Sequence, residues 1–182
     1  MEVISKSQIE KEISGKGEFI KIDYLTRFLK KSTSIDVKKF IFLKLAESHE
    51  KIGMLKDAAK NYGNAGMVSI PFSQKINYFV KEAKTYIKVG DYESADNALK
   101  KALREANSKE KNELYLSIKD FYKKQAEKYE EELKRRHAVK IYEKLLYMKL
   151  DDSEKEEIMK KLLDLYDRLN QRKEYLSLKK RL

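Results

Sequence analysis

Lys81, Lys84 and Lys88 recur at i, i+3 and i+7, the spacing that brings three ammonium groups onto one face of a helix. Such a strip can hold carboxylates or phosphates, and Asn77, one turn earlier, adds an amide to it. The same spacing also describes a plain solvated face. Little else in the chain offers chemistry. There are two histidines and no cysteine, which excludes disulfides and thiolate metal sites. His137 has no neighbouring His or Cys, so the ligand set of a zinc site is missing. Glu130-Glu131-Glu132 and Asp151-Asp152 fall at a helix end and in a turn, where solvated charge is the ordinary state. No Gly-rich phosphate loop, Gly-x-Ser-x-Gly elbow or metalloprotease motif is present. The expectation is a non-enzyme without cofactor or metal.

The elements that must position the lysines are written as a repeat. Phe42, Leu45, Ala46, His49, Gly53, Leu55, Ala58, Tyr62 and Ala65 are matched 37 residues later by Phe79, Glu82, Ala83, Tyr86, Gly90, Tyr92, Ala95, Leu99 and Ala102. A shift of 43 then gives Tyr122, Ala126, Tyr129, Ala138, Tyr142 and Leu145. A further 37 gives Met159, Leu162, Leu163, Tyr166, Asn170, Tyr175 and Leu182. Each copy reads as helix, tight turn, helix, a unit that cannot bury its apolar face alone. His49 occupies the position of Tyr86, Tyr129 and Tyr166 and so reads as a packing residue. The twelve tyrosines invite base stacking on nucleic acid, but hairpin packing accounts for these three and for Tyr62 and Tyr142.

The pattern Ala83, Tyr86, Val89-Gly90-Asp91-Tyr92, Ala95 and Lys101-Ala102-Leu103, with Pro71 closing the first copy, resembles the tetratricopeptide repeat. It departs from that repeat in its longer and uneven period, in lacking a turn glycine in the third copy, and in placing Glu82 where an apolar residue is expected. The uneven period is also similar to that of the helical-hairpin adaptors of vesicle fusion. The resemblance implies an all-α, right-handed α-solenoid of stacked antiparallel hairpins: a degenerate first hairpin over 7–31, then repeats over 36–70, 72–106, 109–150 and 153–182. It further implies a groove lined by first helices, in which Asn77, Lys81, Lys84 and Lys88 would be flanked by Glu47, Glu50 and Lys51 on one side and by Lys123, Glu127 and Glu130 on the other. The family's two-carboxylate clamp needs Lys and Asn four residues apart in one first helix. The corresponding positions hold Leu43 and Glu47, so binding of chaperone C-terminal tails is not expected. The resemblance implies a scaffold for a protein or peptide, acidic or mixed in charge. The rival readings are an RNA-binding helical repeat and a membrane-fusion-type adaptor.

The net charge of +11 is spread out: +4 over 1–45, +2 over 46–106 and +5 over 107–182. A nucleic-acid arm would be a local block; diffuse charge favours acidic partners and some non-specific nucleic-acid binding. No apolar run approaches the ~20 residues that span a bilayer, and Met1–Lys6 lacks a signal-peptide core, so a cytoplasmic, non-inserted protein of one domain is expected. Along the chain, Ser7 with Glu10 and Ser153 with Glu156 read as capping boxes, Ser32-Thr33-Ser34 as a break, and Asp36 and Asp91 as caps. The six extra residues of the 43-residue spacing belong either to the third first-helix or to its loop. Gly63 and Gly66, inside a helix, suggest close helix approach. Tyr175, Leu176, Leu178 and Leu182 either pack inward or offer a self-association surface on the C-terminal helix.

Overall fold

The computed structural model describes residues 5–31 and 34–181; Ser32, Thr33 and Leu182 of the expected break and fourth repeat lie outside them. Among the described residues every regular element is a helix: α1 (Lys6–Ile13), α2 (Glu18–Lys31), α3 (Ile35–Lys51), α4 (Leu55–Val68), α5 (Phe72–Lys88), α6 (Tyr92–Glu105), α7 (Ser108–Glu131), α8 (Arg135–Leu146), α9 (Asp152–Arg168) and α10 (Arg172–Lys179). Two compact units result, Met1–Leu114 and Tyr115–Leu182, with the boundary inside α7.

In the first unit each helix packs on the next, from α1 to α6. Ile9 and Ile13 of α1, Leu25 of α2, and Val37, Ile41 and Leu45 of α3 form one buried cluster, so the N-terminal hairpin closes over the apolar side of α3. From there the core turns to small residues. Ala46, Ala58, Ala59, Ala65, Ala83, Ala95, Ala98 and Ala102 are all buried, and the absence of long side chains lets α3 to α6 approach closely. Gly63 and Gly66 take this furthest. A Cβ on Gly63 would meet the Glu82 carboxylate at 2.7 Å, and one on Gly66 would meet the Phe79 ring at 2.7 Å. In the second unit α8 packs on α9 and α9 on α10, around Ile118, Tyr122, Ile141, Tyr142, Leu145 and Leu162.

The repeat is legible in four turns of one construction. After α3, α5, α7 and α9 the chain passes through a left-handed residue: Gly53 (φ 77°), Gly90 (φ 75°), Leu133 (φ 56°) and Asn170 (φ 56°). In each, the following N–H reaches back to the carbonyl five residues earlier: Met54 to His49 (2.8 Å), Asp91 to Tyr86 (3.1 Å), Lys134 to Tyr129 (2.7 Å), Gln171 to Tyr166 (2.8 Å). The left-handed N–H bonds three residues back, to Glu50, Ile87, Glu130 and Asp167. This paired arrangement satisfies carbonyls that the helix end leaves open. The third copy therefore makes the turn without glycine, on Leu133.

Helix starts differ from expectation by two or three residues. Ser5, not Ser7, caps α1, accepting from the Gln8 N–H at 3.2 Å. Asp151 with Glu154, not Ser153 with Glu156, forms the capping box of α9. Ser34 is the N-cap of α3 without a side-chain bond, and Asp36, inside the first turn, pairs instead with Lys6 and Lys39. Asp91 does cap α6, accepting from Ser94. Asn107 caps α7 and Glu110 reciprocates. The extra residues of the long spacing lengthen the helix: α7 has 24 residues against 17 in α3, α5 and α9.

Candidate functional site

The expected residues divide between the units. Glu47, Asn77, Lys81, Lys84 and Lys88 belong to the first; Lys123 and Glu127 belong to the second.

In the first unit α3 and α5 run beside each other, tied by Lys39 to Gln74 (3.1 Å) and by Lys88 to Glu50 (3.9 Å). Between these ties Glu50 accepts from the Tyr62 hydroxyl of α4 at 2.8 Å, and the Lys81 ammonium stands over the Tyr62 ring, 5.5 Å from its centroid. Burial, and then the bond to Glu50, pushes the Tyr62 hydroxyl well above its ordinary pKa, so it remains a donor. Lys81 and Asn77 are exposed, Lys84 is partly buried, and the Lys88 side chain is 44 % exposed. Glu47, 54 % exposed, pairs with Lys44 at 3.4 Å. The α5 cations thus stand on a frame of fixed polar contacts.

Beside this face lies a cavity of about 320 Å³ between the N-terminal hairpin and α3, lined by Glu18, Lys21, Lys44, Glu47 and Lys51 among others. Lys21 (2.9 Å), Ser48 and Lys51 (3.2 Å) hold the Glu18 carboxyl down at about 2. The cavity walls alternate in sign, so mixed charge continues across α3.

In the second unit Lys123 is engaged by Glu154. Its ammonium lies 2.6 Å from one carboxylate oxygen, and that of the buried Lys119 lies 2.8 Å away. The two lysines hold Glu154 at about 2. Glu127 pairs with Lys161 at 3.6 Å.

The sequence reading missed a second period, of 80 residues. Tyr142 donates to Glu130, and Lys161 stands 5.5 Å from the Tyr142 ring centroid, reproducing Glu50, Tyr62 and Lys81. Likewise Lys39 to Gln74 is matched by Lys119 to Glu154 (2.8 Å). Adding the two observed spacings would have found it, but apolar matching alone does not register charged side chains. Also missed was Lys101, whose ammonium lies 2.8 Å from both oxygens of buried Glu82. That pairing accounts for an acid at an apolar position; burial still outweighs it and raises the Glu82 pKa.

His49 is buried, its Nδ1–H donating to the Leu45 carbonyl at 2.7 Å. Among the described residues no group of three or more His, Cys, Asp or Glu side chains is arranged to hold a metal ion, and no helix is long and apolar enough to cross a membrane. On the C-terminal helix Leu178 is buried, Tyr175 is half-buried and Leu176 is 50 % exposed.

No protein-family model matches this sequence, and no curated protein matches it. Among solved structures, the chain is similar to the crystal structure of BtubC (BKLC) from P. vanneervenii, at 13 % identity and a TM-score of 0.41, over 96 % of this chain and 77 % of that one. A likeness this loose leaves the functional reading to the residues themselves.

Proposed function

We propose that this chain is a non-catalytic scaffold of the tetratricopeptide type, a right-handed α-solenoid, that docks an acidic or mixed-charge protein segment on the α3/α5 face of its first unit. The observation that carries the reading is the disposition of Lys81, Lys84 and Lys88 along α5, with Glu50 and Tyr62 fixing the ends of the strip. Cations already held in place lose less side-chain freedom when a carboxylate arrives. Exposed charges of this kind set partner choice and encounter rate more than affinity. The complex is therefore sensitive to salt.

The test is the triple variant Lys81→Glu, Lys84→Glu, Lys88→Glu, compared with wild type in affinity capture from the native source, at low and high salt with nuclease added. A discrete protein band lost in the variant supports the reading. Recovery that depends on RNA, weakening steeply with salt as phosphate contacts release counterions, would instead favour an RNA-binding helical repeat.

A further inference from the structure

We infer that the α7/α9 face of the second unit is a docking surface of opposite polarity, and that the partner it fits is the α3/α5 face of a second copy of this chain. This rests on the proposed reading of the α3/α5 face as a binder of acidic segments.

The 80-residue period makes the two faces comparable position by position. The frame is kept, since Glu50, Tyr62 and Lys81 have the same contacts as Glu130, Tyr142 and Lys161. The charges set on that frame differ. Positions 44, 47, 50, 51, 77, 81, 84 and 88 hold five lysines, two glutamates and one asparagine. The positions 80 residues later hold three cations and five carboxylates. The change is concentrated at three sites: Lys51 becomes Glu131, Asn77 becomes Glu157 and Lys84 becomes Asp164. Glu131 is exposed, and the Glu157 and Asp164 side chains are 63 % and 53 % exposed. The face is continuous from α7 to α9, since Glu154 binds Lys119 and Lys123 and Glu127 binds Lys161.

A chain of net charge +11 repels its own copies on average, so contact between copies requires local patches of opposite sign. These two faces supply them. The contact joins two different surfaces, so it is heterologous. One face of each kind stays open in a pair, and association can continue beyond two chains.

The experiment is sedimentation or light scattering of the full chain against concentration and salt, with binding of a fluorescent glutamate-rich peptide measured in parallel. Wild type is expected to gain mass with concentration at low salt and to return to one chain at ~1 M salt, where screening acts within about 3 Å. Variant one (Glu131→Lys, Glu157→Asn, Asp164→Lys) is expected to stay monomeric and keep the peptide. Variant two (Lys51→Glu, Asn77→Glu, Lys84→Asp) is expected to stay monomeric and lose it. An equimolar mixture of the two is expected to associate, because the acidic faces of one meet the basic faces of the other. Association unchanged by the swaps, for instance through α10, or a mixture that remains monomeric, overturns the inference. A wild-type monomer that binds the peptide also overturns it and leaves the α3/α5 docking face standing. A chain that neither associates nor binds overturns both.

Discussion

Replacing Gly66 by alanine separates two effects that ordinarily point the same way. In a helix interior, alanine is favoured over glycine by about 1 kcal/mol. At Gly66 the added methyl would lie 2.7 and 2.9 Å from two carbons of the Phe79 ring, whereas carbon atoms rest at roughly 3.5–4.0 Å. Phe79 is buried, with the Lys101 ammonium 5.2 Å from its centroid, so the ring has little room to retreat. Overpacking of this kind costs about 1–3 kcal/mol. Set against the propensity gain, the net is a loss of about 0–2 kcal/mol. Changing Phe79 to methionine, the residue that α9 carries at the matching position (Met159), replaces a rigid ring with a flexible chain. In that background Gly66→Ala should stabilise by about 1 kcal/mol. The four proteins of this cycle, unfolded in urea and followed by helical circular dichroism, give a coupling of about 1–3 kcal/mol. Equal stabilisation by Gly66→Ala in both backgrounds would refute close α4–α5 approach as the reason for the glycine.

Two further outcomes follow from the turns and the buried carboxylates. Gly53→Ala should lose about 1–2 kcal/mol although no atom lies within 4 Å of the new methyl, because φ is 77° and L-residues are penalised there; Leu133→Gly should recover part of that cost, and chemical denaturation measures both. Glu82 and Glu154 should act oppositely with pH. Glu154 is held at about 2, against 4.5 ordinarily, so its contribution is present above about pH 4.5 and is lost as pH falls toward 2; Glu154→Gln should lower stability at pH 7 and flatten this acid limb. The folded-state pKa of Glu82 lies above its ordinary value, so its charged form costs stability at neutral pH, and the cost fades as pH falls through that raised value. Glu82→Gln should stabilise at pH 7 and do progressively less as the solution is acidified.

The sequence revealed the hairpins because small residues and tyrosines recur where helices cross, and such positions tolerate few alternatives. The turn of the third copy stayed hidden because Leu133 adopts a conformation that its side chain does not advertise. There the N–H bonds to Glu130 and from Lys134 to Tyr129 satisfy the helix end in spite of the residue. Caps were misplaced at Ser7 and Ser153 because several oxygen-bearing side chains stand in succession and only geometry selects among them. For the site, Lys81, Lys84 and Lys88 could be placed on one face from spacing alone. Their supports, Glu50 and Tyr62, come from other helices, and the engagement of Lys123 by Glu154 joins residues 31 apart. Contacts of that kind leave a trace only in the 80-residue period.

The most direct measurement of the docking claim is a fluorescence-anisotropy titration of a glutamate-rich peptide and, separately, of a uridine oligonucleotide into wild type and the Lys81→Glu, Lys84→Glu, Lys88→Glu variant. The account predicts that the peptide binds wild type and fails to bind the variant, whose helices remain intact by circular dichroism. Peptide binding of equal strength to both proteins, or binding of the oligonucleotide alone, would contradict it.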